Sequence, residues 1–422
     1  MNLSILNLQF TAWPEMLAWP YLILKGWLPY RDIAIAHTPL MLLVLTAFYK
    51  IFGVGILQLK VFTWLLMAFN TLLTFWVAKK VFNKKTALLA AILYLPLSIY
   101  YKANGLWFDL ALVPFALLLY YFVTKNKFIA SGVVYALGIL TKQTFIYFAL
   151  AVVTNLIQKE RKDSLEIPKK TIEKIRKFIF GAVLAFLLPI IVMFFIGILD
   201  DFYFWAVNFG ILYLPSVSGQ IKFPDFGSFI VAIVPFTILF FDLSFLPWVI
   251  AGLMGVYPRW ELFHFQPALP FLAIVISKIY FAKKNRLLVY GYLLITILLV
   301  TRGIYREVKS STRFYEQDVV NVSDEVKNHN AKEIYVVNYW DNIYSLSGTV
   351  PVTKPLIPYI PWYLDLGGAR ESIMINLKEN FPDALVVKDR QNLSWSELED
   401  FLIKYYQCRL VENEVELCLK NK

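Results

Sequence analysis

Ionisable side chains beside or within apolar runs are where chemistry should be sought in this chain, because charge at membrane depth is costly. Glu15 stands in "WPEMLAWPYLILKG", and Arg31, Asp32 and His37 stand in "GWLPYRDIAIAHTPL". Asp109 opens an apolar run in "GLWFDLALVPF", and Lys142 and Gln143 interrupt another in "LTKQTF". Arg259, Glu261 and His264 crowd into "YPRWELFHFQPALPF". A carboxylate in a partly buried loop suits general-base work, since burial raises its basicity towards neutral pH. Arg259 and Lys142 suit an anionic group such as phosphate. Each residue also has a plainer reading: Glu15 as a solvated residue on a surface helix, Arg31 and Asp32 as a local ion pair, Asp109 as a helix cap, Lys142 reaching out to lipid headgroups, Arg259 on lipid phosphate, and His37 and His264 as boundary histidines.

The elements that position these groups follow from composition. Of 422 residues, 59% are hydrophobic and 17% charged, too little charge to cover a soluble protein of this length. Several apolar runs approach the ~20 residues that cross a bilayer. The expected fold is mainly α: a polytopic helical membrane protein of about ten transmembrane spans with a small C-terminal extracytoplasmic α/β domain. The spans are expected near 60–80, 86–101, 107–124, 128–141, 143–157, 178–199, 229–242, 243–257, 265–281 and 287–302. Those at 128–141, 143–157, 229–242 and 243–257 are short enough to be tilted, broken or half-inserted.

The net charge of +11 raises the question of a nucleic-acid partner, but the basic residues cluster at the ends of apolar runs. "AKKVFNKK", "TKNK", "QKERKDSLEIPKKTIEKIRK" and "AKKNR" look like cytoplasmic loops under the positive-inside rule, so the lipid bilayer accounts for them and no nucleic acid is expected. That orientation puts every ionisable cluster named above on the outer face. Residues 1–59 then form a first outer loop with interfacial helices; the 37–53 run is read as one of these, with Tyr49 and Lys50 at the boundary. Residues 1–302 make up the membrane domain and 303–422 the outer domain.

The outer domain has normal charge, strand-like "EIYVVN" and "ALVVKD", and helix-like "ARESIMINLKENF" and "SWSELEDFLIKYY", with Ser394 as an expected N-cap. If residues 412–414 turn a hairpin, Cys408 and Cys418 fall opposite each other, and a disulfide or two buried thiols are both compatible with that. Sequons at Asn2, Asn321 and Asn392 fall on the outer side.

Nucleotide-binding and soluble-hydrolase motifs are missing, and three histidines spread over the chain argue against a histidine-rich metal site. The outer acids could hold Mg²⁺ or Mn²⁺, but no spacing demands a metal. Without nucleotide-sugar motifs, a transferase acting outside would take a lipid-linked donor.

In order and spacing, "WPEMLAWPYLILKGWLPYRD", "TPL…FYKIFG", "GLWFDLALVPF", "GVVYALGILTKQT" and "YPRWELFHFQPALPFL" resemble the GT-C superfamily of membrane glycosyltransferases. The branch is that of the protein O-mannosyltransferases, the lipid A aminoarabinose transferase and the RgtA/B/C/D-like enzymes. The resemblance implies inverting transfer of a sugar from a polyprenyl-phosphate donor to a hydroxyl on a glycan, lipid or protein acceptor. It implies Glu15 as general base with Asp32 second. Arg259 and then Lys142 would meet the leaving phosphate, and Asp109 would orient acceptor or sugar. Gln143, Glu261, His264, Arg31 and His37 are expected as further substrate-binding residues. Trp13, Trp19, Trp27, Trp107, Trp260 and Trp362 are expected as stacking surfaces. Many members carry an Asp-Glu pair where this chain reads Pro14-Glu15, and have a transmembrane helix before that loop, where twelve residues precede Trp13 here. A lipid or polysaccharide transporter, or an inactive membrane binding protein of the same fold, are the competing readings. Span interiors that are nearly free of charge favour chemistry at one face over transport.

Overall fold

A computed structural model describes residues 10–160, 169–217, 219–282, 286–309 and 316–421; Asn2 and part of two basic clusters, 158–177 and 282–286, lie outside these. Helix α1 spans Pro14–Leu24, α2 Leu40–Phe52, α3 Ile56–Val81, α4 Lys84–Tyr100, α5 Phe108–Thr124, α6 Phe128–Thr141, α7 Phe148–Glu160 and α8 Lys169–Phe195. A π-helix over Tyr203–Tyr213 follows, then a succession of short turns and helices, and finally Leu262–Ala282 and Arg286–Lys309. The last of these runs straight across residue 302.

All ten expected spans fall on helical segments, yet length and apolar composition qualify only three of them among the described residues: α3, α8 and Leu262–Ala282. Phe226–Phe241 and Leu243–Val256, expected as two crossings, form one pair bent by 111°. The bend has a local cause. Asp242 ends one segment and caps the next, accepting from the Ser244 amide at 3.0 Å, and its other oxygen pairs with Lys278 at 2.8 Å. Of the three long helices, Leu262–Ala282 has 83% of its apolar window buried against 22% for α8. The first is the centre of the bundle. The second turns Val183, Leu184, Leu187, Leu188 and Ile191 outward, as a lipid-facing helix would.

Small residues set the closest crossing. A Cβ on Gly132 of α6 would lie 1.9 Å from the Phe178 carbonyl, and one on Gly181 of α8 would lie 2.1 Å from the Ile129 carbonyl. Two glycines facing each other's backbone let α6 and α8 touch along their length, the device by which helices associate in lipid.

Helix α1 is no surface helix. Met16, Leu17, Trp19 and Leu22 are buried, and it packs on α2 and on the short helix Asn342–Ser347 of the C-terminal part. Tyr49 of α2 also turns inward, donating its hydroxyl to the Met16 carbonyl at 3.0 Å, so it does not sit at a water boundary as expected. Leu43, Val44, Ile51 and Phe52 supply the exposed apolar face of that helix.

The C-terminal part holds a five-stranded sheet in the order β2-β1-β3-β5-β4, from β1 Glu333–Val337, β2 Val350–Pro351, β3 Ala384–Lys388, β4 Tyr406–Glu412 and β5 Val415–Lys420. Strand β1 pairs parallel with β2 and β3; β5 runs antiparallel to β3 and β4. The alternation of short apolar strands with helices Ala369–Glu379 and Ser396–Tyr405 is the α/β pattern expected from sequence. Ser394 does not cap the second helix, which starts after Trp395; its carbonyl instead accepts from Arg370 at 3.2 Å. Cys408 and Cys418 are register partners and form a disulfide.

This part is sewn to the opening loop. Ile33 bridges Leu356 in parallel, the Leu356 amide donates to the Asp32 carbonyl at 2.8 Å, and Asn342 Nδ2 donates to the Ala12 carbonyl at 2.7 Å.

Candidate active site

A cavity of about 920 Å³ lies where the opening loop, the starts of α5 and Leu262–Ala282, the end of α6 and the C-terminal part meet. Seven of the ten residues singled out from sequence line it: Glu15, His37, Lys142, Gln143, Arg259, Glu261 and His264.

Glu15 is the second residue of α1, behind Pro14. Proline suits that position because its missing N–H would have no helical partner, and an acid there is favoured by the helix N-terminus. Its Oε2 is buried with no hydrogen-bond partner. Burial pushes the carboxyl up to about 7, against a smaller opposing backbone hydrogen bond. The residue therefore exchanges a proton near neutral pH. The surrounding wall is aromatic: Trp13 meets Trp107 at 5.3 Å between ring centroids, Phe263 at 5.8 Å and Trp340 at 6.2 Å.

Asp109 is fully buried in the first turn of α5, and two donors converge on its Oδ2: Lys142 Nζ at 2.6 Å and His264 Nδ1 at 2.8 Å. Lys142 thus reaches inward to an acid and does not snorkel to headgroups. Asp109 touches the cavity only through these two partners. His37 packs on Phe108 at 4.2 Å and on Trp107 at 5.7 Å. Burial, and then the nearby Lys142 ammonium, hold its imidazole at about 3, so it is neutral. Gln143 is a clamp: its Nε2 donates to the Ala36 carbonyl at 2.6 Å and to Ala206 of the π-helix at 3.1 Å.

Arg259 stands over Trp362 at 5.6 Å, 3.7 Å from Glu261 and 3.4 Å from Gln220. Glu261 also takes Lys222 at 2.7 Å. Arg259 is a third exposed, so its guanidinium is open to a further anion.

Arg31 and Asp32 stay outside the cavity, and they do not pair with each other. Arg31 bonds Asp201 at 3.1 Å and the Gly197 carbonyl. Asp32 accepts from the Leu28 amide at 2.9 Å and lies 3.5 Å from Lys354 of the C-terminal part. Both fasten loops, and neither lines the cavity, where they were expected among the substrate-contacting residues. Of the tryptophans, Trp13, Trp19, Trp107 and Trp362 line the cavity. Trp27 instead lies under Lys354 and Trp260 packs on Phe229 and Phe265.

The sequence reading missed the contribution of the C-terminal part. Asn338, Tyr339, Trp340 and Asp341, just past the end of β1, and Lys388, at the end of β3, face the cavity. Ligands collect beyond the carboxyl ends of parallel strands, and this is the signal that could have found them. Asp341 is 6% exposed, and burial, with the Glu15 carboxylate second, pushes its carboxyl up to about 8.

Away from these groups the cavity is greasy, lined by Phe186, Pro189, Ile190 and Met193 of α8 and by Ala206, Ile211 and Leu214. For a metal, the described residues offer one set of three His, Cys, Asp or Glu ligand atoms, Cys408, Glu416 and Cys418, whose sulfurs are bonded to each other. The acids and histidines of the cavity are not gathered into such a set.

A polar pocket with apolar walls, on a helical bundle that carries a small α/β part, is the arrangement to compare with known folds. Residues 36–192 match the family model described as dolichyl-phosphate-mannose-protein mannosyltransferase. The structure is similar to crystal structures of ArnT from Cupriavidus metallidurans. The form bound to undecaprenyl phosphate matches with a TM-score of 0.65 and 12% identity, over 98% of this chain and 94% of that one. The apo form matches with a TM-score of 0.64 at 12% identity, over 98% and 95%. The oligosaccharyltransferase of Archaeoglobus fulgidus in the apo form matches with a TM-score of 0.50 at 12% identity, over 96% of this chain and 71% of that one. No curated protein sequence matches the chain. The matched family model is named for mannosyl transfer and the Archaeoglobus fulgidus protein for oligosaccharyl transfer.

Proposed function

We propose that the protein is an inverting glycosyltransferase of the outer membrane face, moving a sugar from a polyprenyl-phosphate carrier to an acceptor hydroxyl. The observation that carries the reading is one cavity lined by a carboxyl raised towards neutral pH, an arginine open to anions, and a set of apolar side chains. The likeness to an ArnT structure bound to undecaprenyl phosphate supports a polyprenyl-phosphate carrier as the donor. Basic clusters at 79–85 and 125–127 lie at the opposite helix ends from Asp109 and Lys142, which supports the cavity and the C-terminal domain facing outward.

In this reaction Glu15 takes the proton of the acceptor hydroxyl as its oxygen attacks C1 of the sugar. The new C–O bond forms as the bond from C1 to the phosphate oxygen breaks, and polyprenyl phosphate leaves with the electron pair. Arg259 meets the charge that develops on that phosphate, where preorganised donors do most for the barrier. Lys142, held by Asp109, keeps the cavity floor cationic, His37 stays a neutral donor or acceptor, and the aromatic wall stacks the sugar. Glu15 then returns its proton to solvent.

The test follows polyprenyl phosphate released by purified protein from a pool of polyprenyl-phosphate sugars. Glu15→Gln is expected to remove turnover and Arg259→Ala to reduce it strongly, while Asp32→Asn retains it. Equal turnover in wild type, Glu15→Gln and Arg259→Ala would defeat the assignment.

A further inference from the structure

Asp341 and Glu15 come from opposite ends of the chain, yet the packing around them is continuous. The neighbours of each are in contact: Trp340 with Trp13 at 6.2 Å between ring centroids, and Asn342 with the Ala12 carbonyl at 2.7 Å. The short helix that Asp341 opens lies against α1, which begins with Pro14 and Glu15, and both acids face the same cavity. We propose that Asp341 is the positioning residue of Glu15: the two carboxyls form one electrostatic centre across the domain interface, with one proton, kept by Asp341, and the charge on Glu15.

The proposal rests on the reading of Glu15 as the base, and its reasoning is electrostatic. Two carboxylates in one poorly solvated pocket cannot both ionise cheaply, so one keeps a proton. Asp341 is the deeper of the two and opens less to the cavity, so it keeps the proton while Glu15 takes the charge. The groups around the pair are the phenols of Tyr335, Tyr344 and Tyr363, with Lys388, Arg259 and His37 on the cavity walls. The phenols carry no charge at neutral pH, and burial also keeps Asp341 in the same range as Glu15, at about 8 against about 7. A second negative charge on Asp341 would then oppose an anionic phosphate in the cavity, so the C-terminal domain sets the pH at which the site stops working.

The experiment is an infrared titration of buried carboxyl stretches on the full-length protein in detergent, which needs no substrate. Wild type is expected to show two carboxyl steps in the neutral range. In Asp341→Asn the upper step disappears and the lower remains. In Glu15→Gln the step left, that of Asp341, moves down by about one pH unit or more, because the charge that opposed its ionisation is gone. An Asp341 step that stays in place in Glu15→Gln overturns the coupling, as does an upper step that survives in Asp341→Asn. Should Asp341→Asn not fold, the Glu15→Gln arm decides alone. Turnover from a polyprenyl-phosphate sugar supplies the second readout. One pH unit above the Asp341 step, wild type is expected to lose about tenfold of its rate, and Asp341→Asn to show no such alkaline fall relative to its own rate at neutral pH. An alkaline limb identical in the two overturns the positioning role. No turnover in any variant would sink the transferase reading and leave the titration result standing.

Discussion

Lys142 Nζ lies 2.6 Å from Asp109 Oδ2, with side-chain exposures of 6% and 1%, so the pair at the end of α6 and the start of α5 is withdrawn from bulk solvent. His264 Nδ1 reaches the same oxygen at 2.8 Å. Three elements of the bundle are pinned at one atom, and the pin stands beside the cavity. Removing one charge from such a pair strands the other, at about 3–5 kcal/mol. Lys142→Met is therefore expected to lower the midpoint of thermal unfolding in detergent markedly. Lys142→Met combined with Asp109→Asn should recover most of the loss, because no charge is left unpaired. A double variant as unstable as the sum of the singles would show that the pair is not the pin.

Glu15 predicts a pH dependence of stability. Its carboxyl is raised from 4.5 to about 7, so between those values the folded chain holds more proton than the unfolded chain. Stability contributed by this group is then full below pH ~4.5 and falls as pH rises through about 7. Glu15→Gln removes the fall. The expected result is a variant that melts higher than wild type at pH 8 and no higher at pH 5. Equal melting at pH 8 would show that Glu15 ionises without cost in the fold.

How much of this was open to reading from the sequence depends on which residue is asked. Lys142, Asp109 and His264 announced themselves as ionisable groups next to apolar runs, and all three are at the site. Their mutual pairing was not legible, because it spans 33 and 155 residues of chain. "YRD" in a loop suggests catalysis, but Asp32 pairs with Lys354, 322 residues away, and only the packing of the C-terminal part on the opening loop shows that pair. Asp341 was hidden by its setting, a normal acid in a domain of normal charge. The number of spans is hard to read for another reason. Hydropathy marks apolar helices well, but a cap residue such as Asp242 turns two expected crossings into one bent pair.

Arg259 is expected to set donor affinity through geometry and not charge alone. The guanidinium lies over Trp362 at 5.6 Å, and the donors it does not turn to Gln220 and Glu261 are left for a phosphate. Arg259→Lys keeps the charge and loses both the stacking and the fork of donors. Binding of a short-chain polyprenyl phosphate should weaken about 10-fold or more in Arg259→Lys, and more again in Arg259→Ala, on the ~1.5–3 kcal/mol typical of hydrogen bonds to charged groups. Identical affinity in wild type and Arg259→Lys would move the phosphate elsewhere in the cavity.

Gly132 tests whether the cavity depends on how closely two helices meet. A methyl there would stand 1.9 Å from the Phe178 carbonyl and 2.7 Å from the Ala182 amide nitrogen, and both are backbone atoms that cannot swing away. Helix α8 must therefore move off α6, losing contact along the crossing, at a cost of about 1–3 kcal/mol for such overpacking. The two helices frame the site: Lys142 stands at the end of α6, and Pro189, Ile190 and Met193 of α8 line the cavity. Gly132→Ala should thus lower the unfolding midpoint and also weaken polyprenyl phosphate binding, although no cavity residue has changed. Gly291, where nothing lies within 4 Å of the added carbon, is the control. Gly291→Ala in the helix Arg286–Lys309 should be neutral or stabilising by up to ~1 kcal/mol. If Gly132→Ala destabilises the fold but leaves binding at wild-type strength, the lipid's place is not shaped by α8, and the lipid chain would have to run along the π-helix side of the cavity, past Ala206, Ile211 and Leu214.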